Sequence, residues 1–338
     1  MPRDPYDPNL FAGRANDLDQ IHDWLMNPSD QRLRSITGSP GSGKTWLLER
    51  VRQDYDNDPQ FLVLHASAPA LADPSKRLGE LQRLVASAAM SCGPDPSPLR
   101  DPTLHPEQLM RGLGRWVCER CGDRIPLLIL DGLDELSDPN DRGQVEDLLW
   151  AFLEGGACAR ALIARRDEWG LDRFQLRHIE VQHPLSGLNL NEAEDQFRRR
   201  LRHRHGRRPA SAFNTFRMAH IPEYDGSHPS MNAFLTDWIA RSPSSPPALS
   251  DRDLEACIQD AVGGPLSPEA MVLLQTLCCR DEWAQIDLQD CRITPDNPAV
   301  NELFMKGILV EVPPRYKVAD GFRGMARAWR RLCGSPCP

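Results

Sequence analysis

Residues Gly38–Thr45 read GSPGSGKT, and this octet decides the fold. It satisfies the pattern G-x-x-x-x-G-K-[ST] in full, and it stands between an apolar run, LRSIT (33–37), and an amphipathic stretch, TWLLERV (45–51). The chemistry asks for that order. Glycines let successive backbone N–H groups curl around an anion, and the N-terminus of the following helix adds partial positive charge. In this pattern Lys44 reaches the β- and γ-phosphates of a nucleotide and the Thr45 hydroxyl ligates Mg²⁺. Gly38, Ser39, Pro40, Gly41, Ser42, Gly43, Lys44, Thr45 and the adjoining Trp46 are therefore candidate nucleotide contacts, with ATP or ADP and Mg²⁺ as the implied cofactors.

A phosphate loop needs a second strand that ends in an acid. LLILDGLDEL (127–136) supplies one: four apolar residues run into Asp131, the candidate Mg²⁺ aspartate. The bound cation would relieve part of the repulsion among Asp131, Asp134 and Glu135. Many ATPases of the AAA+ type carry a water-orienting Glu directly after the Mg²⁺ aspartate. Here that place is Gly132, so Asp134 and Glu135 are the candidates for water activation, and one of them can instead cap the next helix. Arg165 and Arg166 follow the apolar run ALIA. Either can sense a γ-phosphate, or pair with Asp167 or Glu168.

Working outward, apolar runs LRSITG, QFLVLHAS, IPLLILD, RALIARR and RHIEVQHPL alternate with helical stretches, the pattern of a parallel sheet covered on both faces. From Asn191 the character changes. NEAEDQFRRRLRHR opens with an Asn and has Glu194 three residues on, a capping-box spacing. Residues 206–250 are polar and rich in Pro and Ser, with a flexible stretch expected at RSPSSPPALS. LSPEAMVLLQTLCC begins a last apolar unit, and GILVEV-PPR-YKVAD reads as two short strands around a turn, the helix-then-hairpin order of a winged helix. The expected fold is α/β: a P-loop NTPase parallel sheet flanked by helices, followed by a helical lid and a winged-helix domain. Its expected divisions are an arm and opening helix at 1–30, the core at 31–187, the lid at 188–262, the winged helix at 263–330 and a tail at 331–338.

The totals exclude several classes. In 338 residues no apolar run approaches a membrane span, and the N-terminus lacks a signal pattern, so the expected location is the cytoplasm. A net charge of −8 argues against a dedicated nucleic-acid coat. The ten cysteines are scattered, which reads as free thiols. Cys118 and Cys121 form half of a zinc knuckle without a second half; Leu109, Leu113, Trp116, Val117 and Cys121 share one helical face, which is a structural reading.

With these motifs in hand, the chain resembles the STAND class of P-loop NTPases, which includes the NACHT and NB-ARC switch ATPases. DGLDEL after an apolar strand looks like their Mg²⁺-binding motif. FAGRANDLDQI is similar to their F-x-G-R-x-x-E-L motif, with Asp17 or Asp19 near the family's Glu; the resemblance makes Phe11, Gly13 and Arg14 candidate contacts beside the adenine. ALIARR resembles the family's T-[ST]-R strand end without its hydroxyls. VGGPL around Pro265 is similar to a Gly-x-Pro adenine contact. YKVADGF falls where the family has Y-R-M-H-D-L, whose His contacts the β-phosphate of ADP; Ala319 takes that place and cannot donate a hydrogen bond.

The resemblance implies a slow ATPase used as a switch, self-association on ATP binding, and a separate sensor or effector partner in signalling or bacterial defence. A DNA-associated ATPase of the initiator or transposition-regulator kind is the alternative, for which RRRLRHRHGRR (198–208) would bind phosphates; the same run also suits the solvated end of a helix. A metabolic kinase would have little use for a winged helix.

Overall fold

Residues 15–38 and 44–185 build one unit, and residues 1–14, 39–43 and 186–338 build another. The computed structural model describes residues 5–27, 29–93, 99, 101, 103–136, 138–166, 170–206, 213–241, 249–277, 294, 297–312 and 315–332. The stretch expected to be flexible at RSPSSPPALS lies largely outside the described residues, as do most of the C-terminal tail and the end of the basic run at Arg207 and Arg208.

In the first unit, α1 (Ala15–Met26) precedes β1 (Leu33–Thr37), and α2 (Lys44–Asp56) follows it. Then come β2 (Phe61–Ser67), α3 (Ala68–Ala72), α4 (Pro74–Cys92), α5 (Pro106–Arg120), β3 (Ile125–Asp131), α6 (Pro139–Gly155), β4 (Arg160–Arg165), α7 (Phe174–Ile179) and β5 (Glu180–Pro184). The strands form one parallel sheet in the order β2-β3-β4-β1-β5. β1 and β4 are buried along their whole length, as central strands are when helices cover both faces. Ser67 pairs with Asp131 and Thr37 with Arg165, so the polar ends of four strands line up at the carboxyl edge of the sheet. In open α/β sheets this is the edge outside which ligands bind.

The last strand is shorter than the apolar pattern suggests. Arg177, His178 and Ile179 belong to α7, and pairing with β1 begins at Glu180. The α5 face behaves as expected: Leu109, Leu113, Val117 and Cys121 are buried. Cys118 departs from the free-thiol expectation. It forms a disulfide with Cys158, Cα atoms 6.0 Å apart, whereas Cys92, Cys121 and Cys257 are free thiols.

The second unit carries α8 (Leu190–His205), α9 (Phe213–His220), α10 (Pro229–Arg241), α11 (Asp251–Ala261), α12 (Pro268–Leu277), α13 (Pro298–Met305), the antiparallel hairpin β6 (Leu309–Val312) and β7 (Arg315–Val318), and α14 (Asp320–Leu332). Phe197, Phe213, Tyr224, Leu235, Leu274 and Phe322 belong to one shared core, so the helices after 188 and the hairpin region bury a common apolar surface. The cap of α8 sits two residues earlier than the sequence suggests. Asn189 Oδ1 accepts the Asn191 and Glu192 N–H groups, and Glu192 returns a bond from the Asn189 N–H. Glu194 instead accepts the Phe213 N–H at 2.7 Å, fixing the start of α9.

Candidate functional site

β1 ends at Thr37, and the chain turns through GSPGSGKT into α2. Gly41 and Gly43 hold φ of +73° and +96°, left-handed values that a side chain would resist. Lys44 is buried, with its Nζ donating to Gly38 O at 2.8 Å and lying 3.1 Å from Asp134 Oδ2. Thr45 follows one residue on, and its hydroxyl donates to Asp131 Oδ1 at 3.2 Å. The structure thus brings together Gly38, Lys44, Thr45, Asp131 and Asp134.

Asp131 sits at the end of β3. Burial pushes its carboxyl above the ordinary range, and the charge of Asp134 adds to that; the Gly132 N–H, Thr45 and His65 act the other way. His65, on the neighbouring strand, is itself pushed down by burial, against the charges of Asp131 and Glu49. A desolvated carboxylate beside a hydroxyl is a hard oxygen pair, and it fits Mg²⁺, which takes one or two protein oxygens and otherwise water and phosphate. Among the described residues no group of three or more His, Cys, Asp or Glu side chains could hold a metal ion by itself.

Gly132 turns the chain with φ +80° and ψ 15°, and Leu133–Glu135 form one 3₁₀ turn closed by the Glu135 N–H on Gly132 O at 3.0 Å. This turn carries Asp134 back to Lys44, while Glu135 is exposed. Arg165, at the end of β4, pairs with β5. It is 1% exposed, its Nε and Nη2 grip Glu180 Oε1 at 3.1 and 2.9 Å, and Nη1 donates to Arg166 O. Asp17 accepts from His183 Nε2 at 2.8 Å, and Arg34 donates to His183 Nδ1 at 2.8 Å.

The remaining loop residues, 39–43, themselves belong to the second unit. Arg14 is buried at φ +68° and donates to Ser42 O at 2.9 Å and to Ser186 O at 2.6 Å, while its own N–H goes to Glu192. Phe11 is half-buried near Tyr6, ring centroids 6.2 Å apart. Pro265 is exposed in the segment between α11 and α12, and Pro229, at the start of α10, lies close to Gly43. His228 Nε2 donates to Pro40 O at 2.9 Å, and Ser230 Oγ to Gly41 O at 3.0 Å. Sequence reasoning passed over His228, Pro229 and Ser230. Their signal was GSHPS, a Gly and a Pro bracketing the start of an apolar-periodic helix.

With this geometry described, comparison with known proteins is informative. Residues 26–168 match the family model of an AAA domain. No curated protein matches the chain. Among solved structures the chain is similar to a Walker-type ATPase of Pyrococcus abyssi, with TM-score 0.62 and 15% identity over 98% of this chain and 99% of that one. A signal transduction ATPase with numerous domains and a tetratricopeptide repeat sensor, from Pyrococcus horikoshii, gives TM-score 0.45 and 19% identity, covering 97% of this chain and 44% of that one. Cdc6p of Pyrobaculum aerophilum gives TM-score 0.40 and 16% identity over 99% and 97% of the two chains. The fold is that of a P-loop NTPase. No described helix is long and apolar enough to cross a membrane.

Proposed function

We propose that the chain is an ATP-binding, slowly hydrolysing switch of the STAND type, acting in the cytoplasm. Its nucleotide state would control self-association or engagement of a separate sensor or effector in signalling or bacterial defence. The observation that supports this reading is the ion pair of Lys44 with Asp134 at 3.1 Å. The lysine that serves the phosphates is held by the acid suited to water activation, so phosphate binding and release of Asp134 are one event. An incoming γ-phosphate competes for Lys44 through charge-assisted hydrogen bonds, and the freed carboxylate can then orient a water. Thr45 and Asp131 would hold Mg²⁺, which supplies charge neutralisation at the phosphate oxygens. Such a coupling shifts a conformational equilibrium only by the difference in nucleotide affinity between the two forms.

The DNA-associated reading draws less support. Arg198 pairs with Glu194, Arg199 with Asp195, and Arg200, Arg204 and His205 converge on Asp237. Charges already compensated on their own helix and its neighbour release few counterions on meeting a phosphate backbone.

The test is a solution-mass measurement of the full chain with ADP, ATP and a non-hydrolysable ATP analogue. An increase in mass with ATP and its analogue, but not with ADP, is expected. Identical mass in all three states, with phosphate released at the same rate, would remove the switch reading and leave a plain ATPase.

A further inference from the structure

Three consecutive carbonyls of the phosphate loop are hydrogen-bonded from outside the loop. Pro40 O accepts from His228 Nε2 at 2.9 Å, Gly41 O from Ser230 Oγ at 3.0 Å and from the Ser230 N–H at 3.4 Å, and Ser42 O from Arg14 at 2.9 Å. A trans peptide points its C=O and the next N–H in opposite directions. Drawing the Pro40 and Ser42 carbonyls to one side therefore turns the N–H groups of Gly41 and Gly43 to the opposite side, the orientation an anion nest requires, while the Ser42 N–H closes on Ser39 O at 3.2 Å. The fit is close. A Cβ on Gly41 would lie 2.6 Å from His228 Cε1 and 2.9 Å from Ala261 O.

His228, at the centre of this set, is held through its backbone as well as its ring. Tyr224 is fully buried; its hydroxyl accepts the His228 N–H at 3.0 Å and lies 2.9 Å from Asn232 Oδ1. Asn232 in turn donates to Gly226 O at 2.7 Å, so the turn carrying His228 is pinned by buried polar bonds that are expensive to break. On its other face the His228 ring meets Phe322 of α14 edge-on, with centroids 5.0 Å apart at 64°. The same imidazole thus touches the phosphate loop and the helix that follows the C-terminal hairpin.

We infer that His228 is a positioning residue that holds the phosphate loop in its anion-binding shape and couples that shape to α14 through Phe322. This inference rests on the reading that Gly38–Thr45 binds nucleotide phosphates. It gives the C-terminal region a route to the loop's outer side, in a chain where Ala319 offers no donor to a phosphate.

Titration of the full chain with a fluorescent N-methylanthraniloyl ADP tests it. Wild type should bind and Lys44→Ala should not. His228→Phe keeps a ring against Phe322 and loses the donor, so affinity should fall roughly fivefold, the usual effect of one hydrogen bond. His228→Gln, whose amide can reach Pro40 O, should recover most of the loss. Phe322→Leu should weaken binding in wild type and have no further effect in His228→Phe. Should His228→Phe fold poorly, Ser230→Ala removes one hydroxyl from the same set and should still weaken binding about twofold, a fraction of one hydrogen bond. Wild-type affinity in both His228→Phe and Ser230→Ala would overturn the inference while leaving the phosphate site in place, and independent effects of His228 and Phe322 would overturn the coupling to α14. No binding by wild type would instead remove the phosphate-site reading, and this inference with it.

Discussion

Lys44 Nζ lies 3.1 Å from Asp134 Oδ2, and both side chains are largely withdrawn from solvent. This pair splits the candidate site into separable functions. Lys44→Ala should abolish nucleotide binding, read by calorimetry. Asp134→Ala should keep ATP bound while phosphate release slows about a hundredfold or more, the scale of a lost general base. Glu135→Ala, at an exposed position, is the matched control; if it stalls turnover and Asp134→Ala does not, the roles are reversed.

Asp131 makes a prediction with a sign. Its folded carboxyl is raised by burial and by Asp134, so the folded chain holds that proton to higher pH than the unfolded chain does. The contribution to stability is favourable below the ordinary carboxylate value and is lost as pH rises through the folded one. Without nucleotide and Mg²⁺, Asp131→Asn should therefore be more stable than wild type near pH 7, by on the order of 1 kcal/mol. Thermal melts from pH 4 to 8 should show that gap shrinking in acid. Mg²⁺ with nucleotide should stabilise wild type and not the variant.

Asp237 carries the opposite sign. Burial alone would raise its carboxyl, but hydrogen bonds from Arg200 and His205, with the charges of Arg200 and Arg204, hold it below the usual range. That stabilisation is present above the ordinary carboxylate value and lost as pH falls through the lowered one. Asp237→Asn should cost about 3 kcal/mol at pH 7, the lower end for breaking a largely buried pair. Its unfolding midpoint in urea should also vary less than that of wild type below pH 4.

Arg165 is held by Glu180 in a pair with both side chains at most 5% exposed. Glu180→Gln removes the charge of this buried pair, and unfolding free energy should drop by about 3 kcal/mol. Nucleotide affinity measured well below the melting point should hardly change. A large loss of ATP affinity with no loss of stability would point to a phosphate-sensing duty for this arginine.

The parts of the molecule that were legible in the sequence are those coded by adjacent residues. The phosphate loop, the strand ending at Asp131 and the backward turn at Gly132 each lie within ten residues. Long-range choices were not legible. The sequence NLNEAE offers two overlapping capping boxes, and only the Arg14 and Phe213 N–H groups, which take Glu192 and Glu194, decide between them. Glu180, fifteen residues beyond Arg165, pairs with it from another strand of the sheet, a partner that no local spacing announces. His228 is a single polar residue in a polar stretch; its meaning lies in Pro40, which is 188 residues distant.

Gly132 has one more consequence. Its left-handed backbone and a Pro69 Cδ that would sit 2.9 Å from any added Cβ exclude every larger residue unless both segments move. A glutamate directly after Asp131, the candidate magnesium ligand, is therefore no single replacement away. Reaching it would require reshaping the turn and relocating Pro69 together, and each intermediate would carry a strained backbone or a clash.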